Sequence, residues 1–129
     1  MIDILTNALV TAAVVIGTSF HPDLPVEYLA EMEYVRCTCY LPTGNRTADG
    51  TWPYEGILAS NYEHMGDVAL LYSVDGTFIG TFESRDVGGH PMLVNGTAID
   101  IYRDNMDRAW EWVGQWGDHV YVLWLKGEG

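Results

Sequence analysis

Residues 67–86 read DVALLYSVDGTFIGTFESRD. Two runs rich in β-forming residues flank Asp75-Gly76, the dipeptide that suits a two-residue type I′ hairpin turn. This stretch predicts a β-hairpin and tilts the whole chain towards a mainly β fold. On its N-terminal side, residues 57–60 (ILAS) read as a short buried strand. A long turn-rich loop, LPTGNRTADGTWPYEG, precedes it, and EYVRCTCY, ending at Tyr40, reads as the first strand. Residues 26–32 suit a short helix. On the C-terminal side, residues 98–102 (AIDIY) form another short strand. Asp104 or Asn105 then caps a helix whose apolar positions Met106, Ala109, Trp110, Val113 and Trp116 recur at helical spacing, and Gly117 stops it. VYVLWLK closes the chain as the last strand. Six short strands and one amphipathic helix describe a small, mostly β barrel.

The chain has 129 residues, the usual size of one domain, and 48% of them are hydrophobic, so it is expected to fold around a core of its own. Six basic residues against 18 acidic ones give a formal net charge of -12. Such a surface repels phosphate backbones and anionic membranes, which argues against a nucleic-acid partner and leaves neutral or weakly charged ligands such as glycans open. No protein partner and no cofactor is inferred. Residues 1–25 are read as an apolar leader or anchor with a linker, because the run 8–17 suits a signal-peptide core and HPDLP (21–25) breaks the chain before a domain spanning 26–129. An extracytoplasmic location follows from that reading. Cys37 and Cys39 lie two apart in a predicted strand, where their side chains share a face and their sulfurs are too far apart for an easy mutual disulfide. They read as small core residues. His64, His90 and His119 show no ligand spacing with them, so no metal site is assigned.

The stretch RDVGGHPMLVNGTAIDIYRDN, residues 85–105, poses the functional question. Asp86 stands before Gly88-Gly89, and Asp100 sits inside an otherwise apolar strand. A strand interior is a poor place for a carboxylate, because burying its charge without a partner is costly. Either both acids face water on an ordinary solvent surface, with Asp86 capping a turn, or they are held there for chemistry.

The order of these pieces resembles the 3D domain, named for three aspartates and shared with the membrane-bound lytic transglycosylase A family and with bacterial wall-remodelling proteins. The resemblance runs from Tyr34 to Lys126. It rests on the Thr-Ala-x-Gly loop of residues 47–50, on Asp86-Val-Gly-Gly, on Ile99-Asp-Ile-Tyr and on the closing strand. It implies a six-stranded double-psi β-barrel with a groove along one side. It also implies that Asp100 is the catalytic acid and that Asp86 lies beside it. The family's third aspartate aligns with Asn61, where this chain departs from the pattern. Residues 86–100 are also slightly longer than the family's segment, with an extra turn around His90-Pro91 and Asn95-Gly96.

Enzymes of that family, as the resemblance implies, cleave the MurNAc–GlcNAc linkage of peptidoglycan without water. One carboxyl group carries both proton transfers, whereas ordinary glycosidases set two carboxylates across the bond. The acid must be protonated near neutral pH, so burial or a neighbouring carboxylate must raise its pKa. Asp100, with apolar flanks and Asp86 nearby, is placed to meet that need. Groove residues expected to contact the glycan are Asn61, Thr47, Gly50, Trp52, Tyr54, Gly88 and Gly89. Trp110 and Trp116 are expected in the core on the helix's apolar stripe, although Trp110, Trp112, Trp116 and Trp124 also have rings suited to stacking on sugars. His64 and His90 have rings that suit a groove, but a lone loop histidine is more often a surface residue, and both are read as such. The alternative function is a wall-binding module of the same fold without activity, for which Asn61 is the clue.

Overall fold

The computed structural model describes residues 26–127. The predicted apolar segment 1–25 therefore lies outside the described residues. Six strands are present: β1 (Glu33–Tyr40), β2 (Ile57–Ser60), β3 (Val68–Tyr72), β4 (Phe78–Val87), β5 (Ala98–Tyr102) and β6 (His119–Leu125). They close into a barrel in the order β1-β5-β2-β4-β3-β6, which leaves no free sheet edge. β1 runs parallel to β5 and β2 parallel to β4, while the remaining neighbours are antiparallel. The mainly β, six-stranded barrel expected from the sequence is what forms.

The period-2 pleat sorts each strand into an inner and an outer row. Val35, Cys37, Leu58, Ala69, Leu71, Phe82, Ile99, Ile101, Val120 and Val122 fill the interior. Fully burying side chains of this size is worth about 1.5–3 kcal/mol each, so this interior supplies the main driving force. Cys37 and Cys39 are both free thiols, and Cys39 packs against the same core. Burial, helped by the charge of Asp100, pushes the Cys39 thiol up to about 11, which makes it inert at neutral pH. By alternation Arg36, Thr38 and Tyr40 lie on the outer face of β1. A second cluster on the outside covers Tyr72, Tyr121 and Leu123 with Leu29 and Met32, carried by and just after a 3₁₀ turn at Val26–Glu31.

Three local features differ from the sequence expectation. The hairpin between β3 and β4 forms, but its turn is not type I′. That type needs positive φ at both central residues, and here Gly76 alone adopts it (φ 89°). Gly76 N donates to the Ser73 carbonyl at 2.9 Å, and Asp75 accepts hydrogen bonds from the Ser73 hydroxyl and from Thr77 N, so a longer turn is locked by its own side chains. A four-residue helix, α1 (Pro91–Val94), occupies the extra turn after Gly88-Gly89, with His90 as its cap: His90 Nδ1 accepts from Met92 N at 3.1 Å.

The third difference concerns α2 (Met106–Trp116), which begins at Asn105 and stops at Gly117 as expected. Trp112 is its buried residue, packed edge-on against Phe82, while Trp110 is 66% exposed. The helix has two candidate stripes. The barrel takes the one carrying Trp112 and Trp116, because Trp112 also lies beneath the guanidinium of buried Arg103, 5.4 Å from its ring. Met106, Trp110 and Val113 are left on the outside. The start of α2 is tied to the long loop by Glu55, which accepts from Arg108 at 2.7 Å and from Asp104 N at 3.0 Å. Those hydrogen bonds, the Arg108 contact above all, draw the Glu55 carboxyl down to about 2.

Candidate active site

β2 is the hub of the site. Ala59 pairs with Asp100 on β5 to one side and with Asp86 on β4 to the other. With neighbouring strands about 4.8 Å apart, this sets the two backbones roughly 10 Å apart across one small buried residue. The placement of Asp86 depends on a β-bulge. Leu58 pairs with Ser84 but Ala59 pairs with Asp86, so Arg85 is an extra residue in β4. Ser84 is fully buried and hydrogen-bonds Ser60 inside the barrel at 2.7 Å. Without the bulge Asp86 would follow Ser84 inward; with it the carboxylate turns out beside Ala59.

Asp86 is held as an acceptor by three donors. The Val87 N–H (2.9 Å) and the Ala48 N–H (3.0 Å) bond Oδ1, and the Tyr40 hydroxyl bonds Oδ2 at 3.3 Å. Burial and then the charge of Asp86 push the Tyr40 hydroxyl above the usual phenol range, so Tyr40 stays a donor. Residues 47–50 are folded tightly enough to present the Ala48 amide. Gly50 N donates to the Thr47 carbonyl at 3.0 Å, Thr47 Oγ1 donates to Asp49 at 2.6 Å, and Gly50 has φ 87°, a conformation that favours glycine.

Asp100 is half-buried among buried neighbours Ala98, Ile99, Ile101 and Tyr102. Thr38, its strand partner on β1, donates through Oγ1 to Asp100 Oδ1 at 2.8 Å. The other carboxyl oxygen has no hydrogen-bond partner among the described residues and is the one left for a ligand. Burial raises the Asp100 pKa, the Thr38 hydrogen bond opposes that rise, the charge of Asp86 adds to it, and His90 opposes it. Asp86 makes no hydrogen bond to Asp100, so its influence is electrostatic. A cleft of about 380 Å³ opens in front, lined by Arg36, Thr38, His90, Met92, Leu93 and Asp100 over Ala98. Half-buried, with its pKa raised and with open space in front of it, Asp100 is placed to exchange a proton with a group in this cleft.

The other expected groove residues divide. Asn61, Gly88, Val87 and Val94 line a separate depression of about 280 Å³, which shares no lining residue with the cleft at Asp100. Asn61 lies two residues beyond Ala59, and its Oδ1 is buried without a partner. Gly88 is packed under Leu93, whereas a side chain at Gly89 would meet open space. Trp52 is exposed with Arg46 4.6 Å above its ring, and the Tyr54 hydroxyl is bonded to Glu83 at 3.0 Å; neither ring lines these clefts. His64 and Trp124 stack on each other at 3.8 Å, so both rings have one face covered. His90, by contrast, is at the cleft. Among the described residues no cluster of His, Cys, Asp and Glu is suited to a metal, and no helix is long and apolar enough to cross a membrane.

Thr38, Tyr40 and Arg36 were not singled out from the sequence. The available signal was the strict alternation Arg36, Thr38, Tyr40 against Val35, Cys37, Cys39, which puts three polar groups on one face of a strand that pairs with the one bearing Asp100. Comparison of the chain with protein-family models, with curated proteins and with solved structures gave no match.

Proposed function

We propose that this chain is a lytic transglycosylase-like enzyme that cleaves the MurNAc–GlcNAc β-1,4 linkage of peptidoglycan, with Asp100 as general acid and then general base. The observation that carries the reading is Asp100 itself: a half-buried strand carboxyl with a raised pKa, one oxygen fixed by Thr38 and the other facing an open cleft. The two parallel strand pairs and their crossovers support the finer description of the barrel as double-psi. The likeness of the quoted motifs to the 3D domain supports the choice of substrate.

In the first step the Asp100 carboxyl gives its proton to the glycosidic oxygen as the bond from C1 to that oxygen breaks. The charge of Asp86 favours the positive charge that develops at C1. In the second step the C6 hydroxyl oxygen bonds to C1 and its proton passes to the Asp100 carboxylate. The acid is regenerated, no water is consumed, and the product carries a 1,6-anhydroMurNAc end. Asp86, held in place by the Ala48 and Val87 amides and the Tyr40 hydroxyl, exchanges no proton in either step.

A second reading is favoured by Asn61, which stands where the resemblance calls for a third aspartate: a glycan-binding module with little or no turnover. Mass spectrometry of peptidoglycan incubated with the protein separates the two. Products with 1,6-anhydroMurNAc ends that disappear with Asp100→Asn establish the enzyme. Retention on the wall without such products establishes the binding module. An extracytoplasmic location belongs to either proposal, since the substrate lies outside the membrane.

A further inference from the structure

Six Lys and Arg side chains serve this chain of net charge -12. Five of them are committed within the fold. Arg85 pairs with Asp49 and Glu83, Arg103 and Arg108 with Glu55, and Lys126 with Asp67, while Arg46 bonds the Gly50 carbonyl and covers Trp52. Among the described residues Arg36 alone makes neither a side-chain hydrogen bond nor an ion pair. The acid whose charge it feels, Asp118, is bonded by His119 at 2.9 Å. This uncommitted arginine lines the cleft that holds Asp100.

Its position along the strand is also defined. Arg36 and Thr38 share the outer face of β1, about 6.7 Å apart at Cα, and Asp100 is the partner of Thr38. Ala98, the partner of Arg36, contributes only a methyl group, and it lines the same cleft as Arg36 and Asp100. We propose that Arg36 is a carboxylate-recognition residue: the cleft takes a glycan whose sugar carries a carboxylate, with that group on Arg36 while the linkage to be cut lies at Asp100. Within the function proposed above, on which this inference rests, the carboxylate is the lactyl group of a muramic acid without its peptide.

The charge count selects the ligand class. A guanidinium offers a planar fork that matches a carboxylate with two parallel hydrogen bonds. One cation neutralises one negative charge, and the Asp86 carboxylate lies across two strands, β5 and β2, from Thr38. A phosphate dianion at Arg36 would bring a second negative charge towards Asp86, so a sugar that places a single carboxylate there is the fit.

The test measures binding by calorimetry to the full chain carrying Asp100→Asn, which removes turnover. Three probes are used: a stem-free GlcNAc–MurNAc tetrasaccharide, the same sugar with its carboxylates methyl-esterified, and a neutral GlcNAc tetramer. The free acid is expected to bind at least about tenfold more tightly than the ester at low salt. Adding Arg36→Gln should abolish that preference and leave the affinity for the neutral tetramer unchanged; Arg36→Lys should restore part of it. Equal binding of acid and ester, or a preference that survives Arg36→Gln, overturns the inference while leaving the glycan-cleaving reading intact. Failure of all three sugars to bind overturns both.

Discussion

Gly88→Ala tests whether the glycine pair after Asp86 is there for packing or for substrate. A Cβ built at Gly88 lies 2.2 Å from Leu93 Cδ1, with Leu93 Cγ and Cβ at 3.5 and 3.7 Å. Carbon atoms prefer separations of about 3.5–4.0 Å, so the tip of Leu93 must retreat by well over 1 Å. The backbone at Gly88 needs no left-handed conformation, so the conflict is confined to this contact. Leu93 is 7% exposed and is the buried residue of α1, so the retreat shifts α1 or turns the side chain into the cleft before Asp100. Overpacking of this kind costs about 1–3 kcal/mol, and the contact with a side-chain tip points to the lower half, about 1–2 kcal/mol. For a domain of roughly 100 residues that lowers Tm by about 4–15 °C. The assay is urea denaturation of Gly88→Ala, Leu93→Ala and the double variant. Leu93→Ala alone destabilises by its lost packing, but it removes the atom that clashes, so the pair should be non-additive by about 1 kcal/mol or more. Additive costs, or a Gly88→Ala variant as stable as the native chain, would refute the packing account and return Gly88 to the substrate.

Thr38→Val removes the donor that stabilises ionised Asp100 while keeping the shape. A hydrogen bond to a charged group of about 1.5 kcal/mol then moves the alkaline limb of the pH–rate profile upward by roughly one pH unit; an unmoved limb separates Thr38 from the acid. Asn61→Asp adds a negative charge on the outer face two residues from Ala59, which disfavours ionisation of Asp100 and should raise activity near pH 7; coincident profiles would show that position 61 is not coupled to Asp100. Glu55→Gln should destabilise the fold at pH 7 by about 1–2 kcal/mol, because the native carboxyl is held down by its hydrogen bonds. The sign is that of a depressed acid: its contribution is present above the ordinary value of 4.5 and is lost as pH falls through about 2, so the denaturation difference should close over that interval. A difference independent of pH would refute the role given to Arg108 and Arg103.

The strands were legible because each is a short β-forming run bounded by Gly, Pro or Asp, and the helix end points followed from Asn105 and Gly117. The buried face of α2 was not, because Met106-Trp110-Val113 and Ala109-Trp112-Trp116 are both apolar at helical spacing. Only the tertiary partners Phe82 and Arg103 decide between them. Asp100 stood out as a charge in an apolar strand. Its partner Thr38 did not, since a threonine in a strand has no local oddity, and the pairing spans 62 residues of sequence. The outward turn of Asp86 was equally hidden, because a bulge is a property of strand register and not of residues 84–86 alone.

The most direct test of the central claim is analysis of the products formed from purified peptidoglycan by the native chain and by Asp100→Asn. The account predicts products with 1,6-anhydroMurNAc ends from the native chain. It predicts a loss on the order of 10²- to 10⁴-fold in their rate of formation with Asp100→Asn, whose denaturation shows an intact fold. Equal product formation by the two proteins, or reducing-end products of hydrolysis in place of anhydro ends, would contradict it.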